Sequence, residues 1–256
     1  MIKILSIFKK IHNYDIYLQN TYLRYTPFHP CFWSHFKLFT AIKSISHYAK
    51  GDLLDIGCGN KPYAKILSKY IISYTGLEIN QEVKYFGNRA DVYGNAKSLK
   101  FKDNSFDTIL CTEVIEHIDD PFKVLNEIYR VLKPNGILIL TAPFSFPVHD
   151  KKDYWRFSTQ GLKEIFHKSG FHDEKIVPVN NTSMTIAILL NIYLFDLGFY
   201  WNKWLYPFGL IFRPFILISI FIINVFFWLL GILIKSEHLP SNILALGIKL
   251  KIKNNL

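Results

Sequence analysis

The chain has 256 residues, a formal net charge of +10 and a mean hydropathy of +0.15. Half of its residues are apolar, which excludes intrinsic disorder, a coiled coil and a collagen-like repeat as descriptions of the whole chain. The excess charge is confined to the flanks: residues 1–50 carry +6, residues 51–182 carry 0 and residues 183–256 carry +4. The length suits one large domain or two small ones.

The first fifty residues have helical patterns. The opening stretch, MIKILSIFKKI, has lysines at positions 3, 9 and 10 and no apolar run of signal-peptide length, so it predicts a short amphipathic helix. Residues 30–49 place Phe and Ile side chains mostly three or four positions apart, which predicts a second helix that ends before Gly51. We therefore expect an N-terminal helical cap over residues 1–50.

The next segment alternates short apolar runs with helical stretches. The predicted strands cover 53–57, 74–79, 106–111, 136–143 and 172–180, and the predicted helices cover 62–70, 121–132 and 158–169. A turn is expected at Asn135-Gly136, and a last strand is expected over 242–253. Strands that alternate with helices predict an α/β, Rossmann-like doubly wound sheet with helices on both faces.

A glycine loop follows the first predicted strand in LLDIGCGNKPY (53–63). Gly57 and Gly59 let the backbone turn tightly and approach a ligand closely, and the helix behind them offers free N–H groups to an anionic group. Pro62 stands where the dinucleotide fingerprint has its third glycine, so that fingerprint is broken. Glu78 ends the next strand, where an acidic side chain binds ribose hydroxyls. This pair predicts an adenosine-containing ligand without choosing among cofactors.

Four stretches in order carry a resemblance to a known family: LLDIGCGNKPY, YTGLEI, GNAKSLKFKDNSFDTILCTEVIEHIDDP and EIYRVLKPNGILILTAPF. Over residues 50–180 the chain resembles the class I S-adenosylmethionine-dependent methyltransferases, particularly the type 11 group. The resemblance implies S-adenosyl-L-methionine as cofactor, a small-molecule acceptor, and a seven-stranded sheet. In that sheet the seventh strand is antiparallel and lies beside the fifth.

The same resemblance assigns the cofactor-binding residues. It implies that the adenosine and methionine parts are bound by Asp55, Gly57, Cys58, Gly59, Glu78, Asn95, Ala96, Thr112 and Glu113. Asn95 stands where the family has an acidic residue, and an amide still hydrogen-bonds to adenine. In a competing interpretation Asp55 only caps the glycine loop, and Cys58 and Cys111 are interpreted as packing residues. Three scattered cysteines, with Cys31 as the third, predict reduced thiols.

The acceptor side is expected in residues 143–162, after the fifth strand, at the sheet edge where open α/β sheets bind ligands. Similar proteins of the type 11 group have a His…Asp-Tyr-Trp-Arg-Phe stretch. On this basis His149 is predicted as the catalytic base, with Asp153 or Arg156 orienting the acceptor. In the alternative interpretation Asp153 and Arg156 only pair with each other and hold the loop.

A metal site is an open question from the sequence. Glu113, Glu116 and His117 form an E-x-x-E-H pattern that resembles the metal-binding pattern of ubiquinone-pathway O-methyltransferases and small-RNA 2′-O-methyltransferases. His149 would complete such a site. The same Glu-His pair is common in type 11 enzymes without a metal, so the metal stays unknown.

The last third of the chain contains an apolar insertion. Residues 215–234 carry no charge, and 20 helical residues span about 30 Å, close to the hydrocarbon thickness of a bilayer. Because the implied sixth and seventh strands lie in one sheet, the chain must return to the side it left. We therefore predict a hairpin of 183–201 and 209–234 with its bend at Pro207 and Pro214, or helices lying in the interface. A helical cap over the enzyme, or a dimer interface, is the alternative.

Together these patterns predict four regions: a helical cap (1–50), a cofactor-binding core (51–182), the insertion (183–238) and a returning strand (239–256). The basic flanks favour the cytoplasmic side of a membrane, and the neutral core argues against a nucleic-acid partner. The expected activity is O-methylation of a lipid-linked glycan or another amphiphilic acceptor, because similar proteins often accompany surface-glycan synthesis. A quinone-type lipid methyltransferase and a binding module without catalysis are the alternatives. The oligomeric state is open.

Overall fold

The computed structural model describes residues 23–79, 90–199 and 206–250. The helices are α1 (Phe32–Ile45), α2 (Ala64–Leu67), α3 (Pro121–Val131), α4 (Thr159–Lys168), α5 (Thr182–Phe199) and α6 (Tyr206–Leu233). The strands are β1 (Asp52–Ile56), β2 (Ser73–Glu78), β3 (Val92–Tyr93), β4 (Phe106–Thr112), β5 (Leu132–Pro143), β6 (His172–Pro178) and β7 (Asn242–Ile248). Two short 3-10 helices cover Ser46–Tyr48 and Ile115–His117. The predicted helix at the extreme N-terminus lies outside the described residues.

The seven strands form one sheet in the order β3-β2-β1-β4-β5-β7-β6. The strands β1 to β5 pair in parallel, whereas β7 is antiparallel to both β5 and β6. The register of β5 and β7 runs from Ile137 opposite Ile248 to Pro143 opposite Asn242. The predicted doubly wound sheet with an antiparallel last strand is therefore confirmed.

Both faces of the sheet are covered by apolar cores. Alternate side chains of each strand point to opposite faces, so the longer strands contribute to both cores. Leu54 and Ile56 of β1 belong to one apolar core, which also contains residues of α3 and α4. Leu53 belongs to the second core, together with Ile42 and Ile45 of α1. The apolar runs read from the sequence are thus strands covered on both sides.

Several elements differ from the sequence prediction. The helix expected over 62–70 is only the four-residue α2, because Lys61 has a left-handed backbone (φ +57°) and delays helix formation. So short a helix has a weak dipole, and anion binding at its end stays a prediction. The turn expected at Asn135-Gly136 lies inside β5, where Asn135 takes a φ of +61°. The two-residue β3 had no signal in the sequence.

The chain divides into two compact units. The first comprises Met1–Leu38 and Asn180–Ser241, and the second comprises Phe39–Val179 and Asn242–Leu256. The second unit contains the whole sheet, and the first contains α5 and α6. The sequence-based boundaries at 50, 182 and 238 remain predictions.

In the first unit, α5 and α6 pack against each other around a buried pair of amides. The amide nitrogen of Asn191 donates to Oδ1 of Asn224 (2.9 Å), and both side chains are fully buried. Asn224 in turn donates to the carbonyl of Pro27 (2.7 Å), and its own carbonyl accepts from the indole of Trp33 (3.1 Å). These hydrogen bonds fix the segment around Pro27 and Trp33 against the middle of α6.

The helix α6 continues through Pro214, so the predicted break at that residue is wrong. An interior proline removes one backbone hydrogen bond, and here the remaining ladder of a 28-residue helix is sufficient. Pro207 lies in the first turn, where its missing N–H costs nothing. Any bend between the two helices lies outside the described residues.

One helix among the described residues is long and apolar enough to cross a membrane by length and composition: Ile211–Leu233, with 23 residues and a mean hydropathy of 2.7. Only 17% of its most apolar window is buried within the protein. A shorter apolar helix covers Thr182–Leu197. The first unit therefore exposes a large apolar surface.

The backbone just before β1 is hydrogen-bonded to β4 through the fully buried hydroxyl of Thr108. The contribution of this contact to stability can be tested. The Thr108 hydroxyl donates to the Lys50 carbonyl (2.8 Å) and accepts from the Lys50 N–H (2.9 Å). Thr108→Val keeps the shape but leaves both backbone groups unpaired, so we expect a loss of about 1–3 kcal/mol in the free energy of unfolding. Denaturant unfolding measures it, with Thr75→Val on the half-buried β2 position as control. Equal stability of the two variants would contradict the assignment.

Candidate active site

The glycine loop leaves β1 and is tied to the neighbouring strand by its backbone. The N–H groups of Gly57 and Cys58 both donate to the carbonyl of Leu77, at 2.8 and 3.2 Å. Gly57 has a φ of +71°, and a Cβ at this position would lie 2.3 Å from Cγ2 of Val114. Only glycine satisfies both the backbone conformation and the packing.

Gly59 and Glu78 form the open side of the loop. Gly59 has a φ of +49°, and a Cβ built on it would meet nothing within 4 Å, so its face is free for a ligand. Its N–H donates to Oε1 of Glu78 (2.8 Å), which fixes the carboxylate at the end of β2. A backbone that a ligand can approach, next to an oriented carboxylate, fits the ribose of an adenosine-containing cofactor.

Asp55 lies behind this loop and is almost fully buried. The Tyr74 hydroxyl donates to its Oδ2, and Oδ1 has no hydrogen-bond partner among the described residues. Burial raises the pKa of Asp55 to about 7, and the nearby charge of Glu78 acts in the same direction. The loop amides bond to Leu77 and Glu78, so the structure gives no support to Asp55 as a simple loop cap.

Sequence reasoning missed an ion pair beside the loop. The ammonium of Lys61 lies 2.5 Å from Oδ2 of Asp91, which also accepts the N–H of Gly76 (2.7 Å). The ammonium is 5.4 Å from the ring centroid of Tyr74. The unusual backbone of Lys61 had no sequence signal, and Asp91 precedes only a two-residue strand, so no pattern marked either residue.

Asn95 and Ala96 lie in a short turn after β3. Oδ1 of Asn95 accepts the N–H of Lys97 (2.9 Å), and the side chain is exposed. Ala96 is buried at 8% exposure and belongs to the core that contains α3. The turn orients the exposed amide, and adenine contact by this pair remains a prediction.

Thr112 and Glu113 end β4 and begin an irregular segment. Glu113 has a left-handed backbone (φ +54°), a strained conformation that often marks functional sites. Its N–H donates to the carbonyl of Thr141 (3.1 Å), and its Oε2 accepts from the amide of Asn242 (2.6 Å). Burial raises the pKa of the Glu113 carboxyl above its usual range.

Glu116, three residues further on, is fully buried in the 3-10 helix Ile115–His117. Neither of its carboxylate oxygens has a hydrogen-bond partner among the described residues. Burial, followed by repulsion from the Glu113 charge, raises the pKa of Glu116. Its backbone carbonyl accepts from Tyr154 (2.8 Å), and Nδ1 of His117 lies 2.7 Å from the Lys152 carbonyl oxygen. The loop after β5 is thus attached to this 3-10 helix.

The loop itself is held by one ion pair, in which the carboxylate is buried and the guanidinium is half-buried. Asp153 has no exposed side-chain surface and accepts from the backbone N–H of His149 (3.1 Å), while Nδ1 of His149 lies 3.1 Å from the same oxygen. Arg156 binds both oxygens of Asp153, and this charged contact lowers the pKa of Asp153 to about 2. Asp153 therefore orients the imidazole of His149.

Arg156 uses all of its five N–H donors within this loop. Besides Asp153, it donates to the backbone carbonyls of Phe146 (2.7 Å), Pro147 (2.9 Å) and Trp155 (2.8 Å). A guanidinium has five N–H donors, so none is left over for an acceptor in this arrangement. Arg156 and Asp153 therefore pair and hold the loop, and a role of either residue in orienting the acceptor stays a prediction.

The structure brings together three residues that the sequence had singled out separately. Ligand atoms of Glu116, His117 and His149 lie within 4.8 Å of one another. The rings of the two histidines are 5.0 Å apart in a T-shaped arrangement. These donors are of the kinds that hold a divalent metal ion.

The cysteines near the site are not nucleophiles at neutral pH. Cys58 and Cys111 are both buried and free. Burial raises the pKa of Cys58 to about 12 and that of Cys111 above its usual range. Their thiols stay protonated and pack as small apolar groups.

Comparison with known proteins finds methyltransferases among the similar sequences. The type 11 family profile, described as a methyltransferase domain, matches residues 54–140. The demethylmenaquinone methyltransferase of Staphylococcus haemolyticus is 30% identical over 131 residues, covering 45% of this chain and 55% of that protein. The 27-O-demethylrifamycin SV methyltransferase of Amycolatopsis mediterranei is 34% identical over 100 residues, covering 34% of this chain and 37% of that protein. The chain thus spans about half or less of these relatives' lengths.

Solved structures show the same fold. A SAM-dependent methyltransferase from Archaeoglobus fulgidus superposes with a TM-score of 0.51 at 16% identity, covering 85% of this chain and 94% of that chain. The 4+2 cyclase SpnF gives a TM-score of 0.51 at 19% identity, covering 84% and 80%. The sheet order, the glycine loop with Glu78 and the family match lead to one conclusion. Residues 54–140 match the type 11 methyltransferase domain model, and the chain is similar in sequence and fold to class I S-adenosylmethionine-dependent methyltransferases.

Proposed function

We propose that the protein is a methyltransferase that uses S-adenosyl-L-methionine and methylates a hydroxyl of an amphiphilic acceptor, such as a lipid-linked glycan, at the cytoplasmic side of a membrane. The observation that carries the transferase part is the open Gly59 backbone beside the fixed carboxylate of Glu78, inside a matched methyltransferase domain. The acceptor and the membrane are inferred from the loop after β5 and from the apolar first unit.

The cofactor supplies an electrophilic methyl group on a sulfonium, and the residues of this chain bind it and orient the acceptor. Gly59 leaves room for the cofactor to approach the loop backbone, and Glu78 accepts hydrogen bonds from the ribose hydroxyls. Thr112 and Glu113 lie at the end of β4, at the same edge of the sheet. We expect them to contact the methionine part of the cofactor. In-line displacement depends mainly on positioning, so a rigid loop is more useful here than a reactive side chain.

On the acceptor side, His149 is the residue proposed to take up the hydroxyl proton. The Asp153 carboxylate beside its Nδ1 orients the ring and stabilises the imidazolium, as in other carboxylate–histidine pairs. Exposed aromatic side chains at Tyr154 and Trp155 give the same loop an apolar surface. A polar centre with an apolar rim fits an acceptor that has a polar head and an apolar tail.

The membrane part of the proposal rests on the first unit. Because β6 and β7 are neighbours in one sheet, the chain that leaves at Pro178 returns to the same side at Asn242, which allows a hairpin or interfacial helices. Most of Ile211–Leu233 is not buried within the chain, and an apolar surface of this extent is typical of a membrane or an intermolecular contact.

A quinone-type lipid is the second candidate acceptor. It is favoured by the relative named demethylmenaquinone methyltransferase, which is 30% identical over 131 residues. Such an acceptor is also amphiphilic and membrane-bound. A binding module without catalysis is the third candidate, because a fold alone does not determine whether a site performs a reaction.

Cofactor binding tests the transferase part. Glu78→Ala removes the carboxylate that holds Gly59 and binds ribose, so we expect the affinity for S-adenosylmethionine to fall about tenfold or more. Isothermal titration calorimetry measures it, and Glu164→Ala, an exposed position on α4, is the matched control. Wild-type affinity in the Glu78 variant would contradict the proposed ribose site.

The role of His149 is tested by turnover. His149→Ala removes the imidazole at the acceptor side, so we expect loss of methyl transfer with unchanged affinity for S-adenosylmethionine. Transfer of labelled methyl groups to a total lipid extract of the source organism measures turnover. His172→Ala, at an exposed position of β6, is the control. Unaltered turnover in the His149 variant would remove this residue from the mechanism.

Membrane attachment is tested on the exposed face of α6. Ile222, Phe226 and Leu229 are 58%, 57% and 50% exposed and share one face of the helix. Changing all three to Glu places charges in the proposed bilayer contact, so we expect loss of flotation with vesicles of phosphatidylcholine and phosphatidylglycerol.

The control for the flotation experiment adds the same three charges elsewhere. Thr159, Gln160 and His167 are exposed on α4, and their change to Glu is expected to leave flotation unchanged. Equal flotation of the two triple variants, or a wild-type protein that stays with the soluble fraction, would contradict membrane attachment. The affinity for S-adenosylmethionine verifies that the second unit is intact in each variant.

A further inference from the structure

The first unit contains a groove that belongs neither to the cofactor site nor to the loop after β5. It lies between the start of α1, with the segment before it, and the second half of α6, and its volume is about 240 Å³. All of its lining residues belong to the first unit. We call it the α6 groove, and it is lined by Pro27, Phe32, Trp33, Asn224, Val225 and Trp228.

The buried polar groups of the α6 groove are already used within the protein. The side-chain nitrogen of Asn224 donates to the carbonyls of Pro27 (2.7 Å) and His29 (3.4 Å), and its Oδ1 accepts from Asn191 (2.9 Å). The indole N–H of Trp33 donates to the backbone carbonyl of Asn224 (3.1 Å). A polar ligand needs donors or acceptors that orient it, and the buried part of this lining offers apolar surface instead. The lining therefore fits a hydrocarbon.

The groove continues along an apolar stripe of α6. Phe221, Val225 and Trp228 are all exposed and lie at positions i, i+4 and i+7, on one face of the helix. The ring of Phe28 stacks on that of Phe221, with 5.0 Å between the centroids, and extends the apolar wall by one turn. Seven helical residues rise about 10 Å, so the stripe is long enough for a stretched segment of an alkyl or isoprenoid chain.

The volume of the groove limits how much of a ligand it holds. Pockets for drug-sized ligands have about 300–1,000 Å³. A groove of about 240 Å³ is smaller, so it takes part of one flexible chain and leaves a bulky headgroup outside.

The charge of the first unit favours one kind of headgroup. The unit has eight Lys and Arg residues and three Asp and Glu residues, which gives a net charge of +5. One of these cations, Lys37, follows Trp33 by one turn of α1 and lies on the same side of that helix. Positive charge beside an apolar site attracts a lipid whose headgroup is anionic.

We propose that the α6 groove binds one hydrocarbon chain of a phospholipid with an anionic headgroup. This inference rests on the membrane part of the proposed function and goes beyond it, because α6 then holds an individual lipid in addition to contacting the bilayer. The bound chain covers apolar surface that Val225 and Trp228 leave exposed, which stabilises the complex in proportion to the area removed from water.

The test fills the groove without adding charge. Val225→Phe places a ring in the groove, and Ile222→Phe, the matched control, adds the same ring at an exposed position of α6 outside the lining. Trp228→Ala is a second variant, which removes one wall of the groove. Because all three changes are uncharged, each variant is expected to float with vesicles like the wild type.

Retained lipid is the measurement. The full chain is reconstituted into vesicles of equal parts phosphatidylcholine and phosphatidylglycerol, extracted into a mild detergent and weighed by native mass spectrometry. We expect one phosphatidylglycerol per wild-type chain and the same in Ile222→Phe. In Val225→Phe and Trp228→Ala we expect at least about fivefold less, because the chain loses its place or its wall.

The outcomes separate the groove from the membrane contact. Thermal unfolding verifies the fold of each variant. Equal retention in Val225→Phe, Trp228→Ala and the wild type would overturn the proposal, as would equal retention of the two lipids or wild-type chains that pair without lipid. A wild type that floats but retains no lipid would overturn the groove and leave membrane attachment standing. A wild type that retains one phosphatidylglycerol but does not float would overturn membrane attachment and leave the groove standing.

Discussion

The insertion of β7 between β5 and β6 is the constraint on which the rest of the structure depends. This strand pairs with both neighbours and alternates its side chains between the two cores, with Ile243 and Ala245 in one and Leu244 and Leu246 in the other. A strand buried on both faces cannot be left out without exposing both cores. The sheet is therefore complete only when β7, which follows the two apolar helices, has paired between β5 and β6.

The same strand connects folding with the active site. Asn242 opens β7, and its amide donates to the carboxylate of Glu113 at 2.6 Å, across 129 residues of sequence. Glu113 needs this partner because its backbone is strained and its carboxyl is enclosed. The conformation at the end of β4, next to the cofactor loop, is thus stabilised by a strand that follows it by more than a hundred residues.

Sequence reasoning succeeded where the signal was local. The apolar runs predicted the six longer strands, and the spacing of Gly57, Gly59 and Glu78 predicted a glycine loop beside the end of the next strand. It failed where the cause was a contact distant in sequence. The hydrogen bond between Glu113 and Asn242 and the ion pair of Lys61 with Asp91 depend on the completed sheet. No sequence spacing therefore predicts them. The helix expected over 62–70 was too long because the backbone of Lys61 follows the loop rather than helix propensity.

The two halves of the site are built on different principles, and this difference bears on what determines the acceptor. The cofactor half uses backbone amides and strand ends, which the fold supplies in any protein with this sheet. The proposed acceptor half is a loop whose shape depends on one ion pair, Asp153 and Arg156, with every donor of the guanidinium used internally. A loop fixed in this way can change its exposed side chains without changing its path. In the proposed function the acceptor is therefore selected by His149, Tyr154 and Trp155 on that loop, and not by the glycine motif by which the domain is found.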